Sequence, residues 1–299
     1  MKFGLMPGIA VGDGIAYRDY TAAVVSLAEQ RGFDSLWVGE HVVFPDPLPP
    51  YPYSPDGTFP LPPNTDVPDP ITWLAHVSAI TSTIKLATGA VILPQRNPVV
   101  LAKELATVDL LSGGRVLFGI GVGWMPEEAR ALGVPFEARG ARTEEFIAAM
   151  RSLWSDDLST FEGRHAGFQR VRSYPKPAAK DRRIPIVVGG GGPIGARRAG
   201  RLGDGYYPFH TTLDDLAALI GVMRKAAAEA DRDPDEVEVS VLSFAASGDD
   251  PVPAALLEEY RRMEELGVSR VVVARLFDDT TSKATDAIER LADELLEAL

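Results

Sequence analysis

The chain has 299 residues, with 30 basic and 42 acidic side chains, a formal net charge of -12 and no cysteine. That charge opposes nonspecific attachment to nucleic acid or an anionic membrane, and the lack of thiols excludes disulfides, thiolate nucleophiles and cysteine-held zinc or iron-sulfur sites. Redox chemistry would need a bound cofactor; 45% hydrophobic and 24% charged residues, with 28 glycines and 24 prolines, describe a loop-rich globular protein.

The amino terminus, MKFGLMPG, lacks an apolar signal core, and no apolar run reaches the roughly 20 residues of a membrane span, so cytoplasmic residence is expected. Lys2 to Met6 reads as a first strand. Tyr17 to Gln30 then carries Tyr20, Val24, Leu27 and Ala28 on one helical face, and Gly32 breaks it before an apolar Ser35 to Val38 strand. The order recurs: helix Pro70 to Ser82 before strand Ile84 to Leu93, helix Pro98 to Leu111 before strand Arg115 to Gly123, then helix Ala141 to Trp154. Later strands are expected at Ile184 to Val188, Gly205 to Tyr207, Val237 to Phe244 and Arg270 to Ala274, with helices near Gly195 to Leu202, Leu213 to Ala230, Ala254 to Leu266 and Ser282 to Leu299. Alternation alone also suits an open doubly wound sheet. Eight β/α units in this length favour a closed (β/α)8 TIM barrel, because closure removes the sheet edges. The expectation is one domain over residues 1–299 with insertions near 44–69 and 158–183. The first insertion is dense in proline and carries Tyr51, Tyr53 and Phe59, which reads as a cap over a cleft or as a dimer arm. The second reads as a small hairpin, either a wall of the site or an outer decoration.

In a barrel, residues that follow the strands converge on one face, where catalysis sits. Glu40 and His41 follow the second strand. His41 suits proton exchange or a hydrogen bond to a reacting carbonyl, and Glu40 suits tuning it or positioning a ligand; a structural histidine beside a solvated glutamate is the plain alternative. Gly189 to Gly192 follow the fifth strand and open a helix, so their peptide N–H groups can surround a phosphate, although a flexible turn needs no ligand. RVLFGIGVGW, Arg115 to Trp124, sets small residues beside a large aromatic, which suits a planar cofactor at Gly121 against Trp124, or plain core packing. His76, His165 and His210 make no metal motif, and Asp156 and Asp157 read as a solvated helix end.

Several stretches together resemble the luciferase-like monooxygenase superfamily, in particular its coenzyme F420-dependent oxidoreductases: GFDSLWVGEHV at Gly32 to Val42, IKLATGAVILPQRNPVVLAKELATVDLLSGGRV at Ile84 to Val116, GIGVGW at Gly119 to Trp124, PIVVGGGGP at Pro185 to Pro193 and GDGYYP at Gly203 to Pro208. The resemblance covers nearly the whole chain. It implies that His41 faces a deazaflavin ring, that Thr88, Gly89 and Ala90 form the wall behind that ring with a cis Gly89–Ala90 peptide, and that Gly190, Gly191 and Gly192 meet the cofactor phosphate. It also implies that Asn97 binds the cofactor's polar periphery, that Gly121 and Trp124 line the fourth-strand wall, and that the chain is a homodimer. Glu40 stands where many such sequences carry aspartate. The reaction implied is hydride transfer between F420 and a small or medium organic substrate. Two other readings stay open: an FMN-dependent monooxygenase using reduced flavin and oxygen, and a non-catalytic barrel that binds a metabolite or serves an oligomer.

Overall fold

The computed structural model describes residues 1–10, 16–54, 56–209, 212–246 and 248–297. Within it, eight parallel strands form a closed ring: β1 (Lys2–Met6), β2 (Ser35–Val38), β3 (Lys85–Thr88), β4 (Val116–Gly121), β5 (Ile186–Gly189), β6 (Gly205–Tyr207), β7 (Glu238–Ser243) and β8 (Val268–Ala274). Each strand pairs with its sequence neighbours, and β1 pairs with β8, Lys2 opposite Arg270 and Met6 opposite Ala274. The barrel is thus closed, which settles the choice against an open sheet.

Among the described residues, one main helix follows each strand outside the ring: α1 (Tyr17–Arg31), α2 (Pro70–Ser78), α3 (Pro98–Ser112), α4 (Arg139–Ser155), α5 (Pro193–Leu202), α6 (Leu213–Ala228), α7 (Ala254–Glu265) and α8 (Thr281–Leu291). Proline opens α2, α3 and α5, where its missing N–H costs nothing, and the side chains of Asp69 and Asn97 cap α2 and α3. Strand residues alternate between two cores. Leu36, Leu86, Phe118, Ile186 and Tyr206 face outward against the helices, whereas Trp37, Ala87, Leu117, Val187, Tyr207 and Val272 fill the barrel. Close packing of β3 on β4 requires glycine at 119, since a Cβ there would lie 1.8 Å from the Thr88 carbonyl oxygen.

Three boundaries differ from the sequence expectation. The strand expected through Leu93 is interrupted after Thr88, and pairing resumes only at Val91–Ile92. α2 stops at Ser78, where hydroxyls of Ser78 and Thr81 bond back to the Ala75 and Val77 carbonyls. α8 ends at Leu291 and winds on as a π turn over Ala292–Leu296. The hairpin of the second insertion forms from Ser159–Glu162 and Gly167–Val171, and none of its residues lines the cavity described below. Among the described residues, no helix is long and apolar enough to cross a membrane.

The face at the strand amino ends is held by buried cations. Arg270 donates to Asp34 at 2.6 Å and to Ser240 at 3.0 Å, and Arg115 donates to the carbonyls of Ser78, Thr81, Ile84 and Ser112. Chemistry is left to the opposite end.

Candidate active site

At the carboxyl ends of the strands lies a cavity of about 320 Å³, at the low end for small-molecule sites. Its walls come from different strands: Met6 ends β1, Glu40 and His41 follow β2, Gly89 and Ala90 follow β3, Gly121 ends β4 and Trp124 follows it, Gly190 follows β5 and Tyr207 ends β6. The Gly89–Ala90 peptide is cis. A Cβ at Gly89 would come within 3.0 Å of the Trp37 ring, 3.2 Å of Met6 and 3.3 Å of the Tyr207 hydroxyl, so glycine keeps that part of the wall flat. Tyr207 stacks on Trp37 with ring centroids 4.7 Å apart, and its buried hydroxyl has no hydrogen-bond partner within the described protein. Burial pushes that hydroxyl far above the usual phenol range, so it remains a proton-bearing donor.

His41 is fixed by a partner that sequence reasoning did not single out. Glu128, with a fully buried side chain, sits 3.1 Å from His41 Nδ1 and accepts the Val42 backbone N–H at 2.6 Å. Burial pushes the Glu128 carboxyl up, but His41 and the Val42 and Val43 amides outweigh it and hold the group below the ordinary glutamate value. An ionised carboxylate only accepts, so Nδ1 carries the proton and Nε2 is the nitrogen left for chemistry. Glu128 lies on a short helix, Pro126–Ala131, between β4 and α4. The one signal for it in the sequence is a pair of acids directly after GVGWMP.

Glu40 does not partner His41. It accepts the Ile92 N–H at 2.6 Å and is ion-paired with Arg96, which also reaches Asp69 at 2.5 Å. Burial drives its carboxyl above the ordinary value against the opposing pull of Arg96.

The long 44–69 connection closes over the mouth. Phe44 and Phe59 lie 5.0 and 5.3 Å from the His41 ring, and Tyr51 meets Trp124 edge-on at 5.1 Å. Tyr53 meets Phe209 at 4.8 Å. Burial pushes the Tyr51 hydroxyl up to about 12, so this canopy is uncharged at neutral pH.

The sequence model of the luciferase-like monooxygenase family matches residues 1–298. The chain belongs to the luciferase-like monooxygenase family. Among its relatives is an uncharacterized protein of Mycobacterium tuberculosis, 33% identical over 278 residues, which are 92% of this chain and 93% of that one. Another is the F420-dependent glucose-6-phosphate dehydrogenase of Kineococcus radiotolerans, 32% identical over 279 residues, covering 90% of this chain and 73% of the relative. Two solved structures share the fold: a monooxygenase from Streptomyces bottropensis (TM-score 0.80, 21% identity, 99% of both chains) and an F420-dependent secondary alcohol dehydrogenase in complex with an F420-acetone adduct (TM-score 0.77, 20% identity, 100% and 99%).

In this luciferase-like barrel the residues singled out from sequence divide into two groups. Glu40, His41, Gly89, Ala90, Gly121, Trp124 and Gly190 all line the one cavity. Thr88, Asn97, Gly191 and Gly192 stand back from its wall. The Thr88 hydroxyl donates to the Gly119 carbonyl at 2.6 Å, and the Asn97 side chain accepts the Val99 and Val100 amides at the head of α3. Gly192 is the N-cap of α5 with no side-chain hydrogen bond, so the first amides of that helix point away from its body unclaimed by a cap. His210 lies outside the described residues.

Proposed function

We propose that this chain is an oxidoreductase that moves a hydride between coenzyme F420 and a small or medium organic substrate, the whole chain acting as one catalytic barrel domain. The observation that carries the reading is a cavity at the carboxyl ends of the strands whose wall is kept flat at Gly89 and which a carboxylate-held His41 lines. Relatives named as F420-dependent dehydrogenases support the choice of cofactor.

The residues fit a planar ring. The flat wall at Gly89, between Ala90 and Met6 of the same cavity, leaves room for one. The Gly190 turn and the open head of α5 suit the charged tail, since helix amides and dipole favour an anion there. When bound, F420 supplies a two-electron hydride donor or acceptor. His41, with Nδ1–H donated to Glu128, gives or takes the accompanying proton through Nε2. Glu40 and Arg96 position the rim, and the aromatic canopy excludes water. A homodimer in the cytoplasm is the setting that goes with this reading; the exposed Val100, Leu110 and Leu111 of α3 support pairing, and light scattering at micromolar concentration checks it.

The deciding experiment is a spectroscopic titration of the purified protein with F420 and with FMN. Micromolar F420 binding without comparable FMN binding is expected. Selective FMN binding, with oxygen uptake coupled to product oxygenation, would overturn the reading in favour of a flavin monooxygenase. Tight F420 binding with no turnover across a broad substrate panel would point to a non-catalytic barrel. His41→Ala is expected to cut turnover by about 100-fold or more while the protein stays folded.

A further inference from the structure

We infer that the substrate of this site is a neutral, planar compound with an electrophilic carbonyl or enone, and that sugar phosphates are excluded; the inference rests on the oxidoreductase reading above. Glu40, His41 and Arg275 are the only charged types of side chain on the cavity wall among the described residues, and the acid and the guanidinium each already have a partner of opposite charge. Glu40 is paired with Arg96. Arg275, 5% exposed, is held by Asp278 at 2.6 Å and Asp249 at 3.2 Å. Residues 11–15 and 210–211, Val-Gly-Asp-Gly-Ile and His-Thr, contain no lysine or arginine. In this reading the head of α5 is taken by the cofactor's charged tail, and a phosphate dianion elsewhere in the cavity would lose its hydration beside the Glu40 carboxyl with no unmatched guanidinium or ammonium on the described wall to replace the water.

The wall that is present suits another kind of molecule. Phe44, Tyr51, Phe59 and Trp124 form a chain of ring contacts around His41, from Phe44 to Phe59 at 5.7 Å, Tyr51 to Phe59 at 5.0 Å and Phe59 to Trp124 at 5.6 Å. Their tilted and edge-on geometry presents faces and edges to a flat guest, and ring pairs of this kind add attraction beyond area burial. The sugar's hydroxyls would find few partners on such a wall. With a ring on the Gly89 side, a cavity of about 320 Å³ leaves space only for a small guest between it and the canopy.

The chemistry closes on these groups. Hydride from reduced F420 would form a new C–H bond at the electrophilic carbon, the π pair would move to oxygen, and that oxygen would take the Nε2 proton of a His41 imidazolium, resupplied from solvent; the substrate would gain two electrons and F420 would be left oxidised.

The test is calorimetric titration of benzylideneacetone, an aryl enone, and of glucose 6-phosphate into the protein with and without saturating F420, alongside turnover followed by F420 absorbance. Binding of the enone in both states is expected, with its reduction by reduced F420, and glucose 6-phosphate at least about 100-fold weaker, a gap of about 2.7 kcal/mol. Phe59→Ala and Tyr51→Ala are expected to weaken enone binding about 10-fold and to change F420 affinity by less than about 3-fold. Glucose 6-phosphate oxidation with comparable kcat/KM, or no enone binding, overturns the inference. Enone binding that depends on Phe59 in a protein that does not bind F420 supports the substrate class and removes the cofactor reading instead.

Discussion

At the residue scale, His41 and Glu128 act as a unit. Glu128→Gln preserves shape and an acceptor oxygen for Val42 but leaves no ionised carboxylate to fix the Nδ1 proton. Turnover is expected to fall about 10- to 100-fold, with KM changed much less, in steady-state assays of the F420-loaded enzyme. Tyr207→Phe removes a buried hydroxyl without a protein partner, so the ligand-free protein should lose no more than about 1 kcal/mol in a urea melt and could gain. Legibility differs between these residues for physical reasons. His41, Gly121 and Trp124 were readable because they sit at strand exits, where a barrel collects its site. Tyr207 was readable in principle, as the inward member of a Tyr206–Tyr207 pair at a strand end. Glu128 was not, because it reaches His41 from a segment 87 residues away that has no strand or strong periodicity to place it.

At the scale of elements, Glu29 near the end of α1 accepts the N–H groups of Ser82, Thr83 and Ile84, joining that helix to the turn before β3. Burial alone would raise its carboxyl, but those three amides win and lower it from 4.5 to about 2. A depressed folded-state value means that the stabilisation is present in full above pH 4.5 and is lost as pH falls toward 2. Glu29→Ala should therefore cost about 1–3 kcal/mol at neutral pH, and the gap to the parent protein should narrow as acid unfolding is followed downward by circular dichroism. A constant gap at all pH values would mean the carboxylate's charge is irrelevant. Most helices and strands were legible from periodicity and from prolines at helix starts. The break between Thr88 and Val91 was not legible from periodicity, since LATGAVIL is as apolar as an unbroken strand, and only family resemblance pointed to it.

At the scale of the molecule, the two ends of the barrel divide the work. Asp34→Ala removes the nearest carboxylate from the Arg270 guanidinium, whose side chain is 1% exposed, and leaves it Ser240 and, at 3.5 Å, Glu238, at the end remote from the cavity. It should lower stability by about 2–4 kcal/mol in denaturant melts and leave ligand affinity unchanged. Closure itself was inferred in sequence from the number of units and from family resemblance, because pairing of β8 with β1 joins residues at opposite ends of the chain and no local pattern records it. The Glu40–Arg96–Asp69 link has a consequence for how such a barrel diversifies. Glu40 stands before the long proline-rich segment and Asp69 at its close, so one guanidinium clasps both roots of that excursion against the scaffold. With its two roots stapled together, the stretch between them behaves as a detachable visor: its length and ring content can be rewritten at little entropic expense, re-specifying what enters while His41 and the strands beneath stay put.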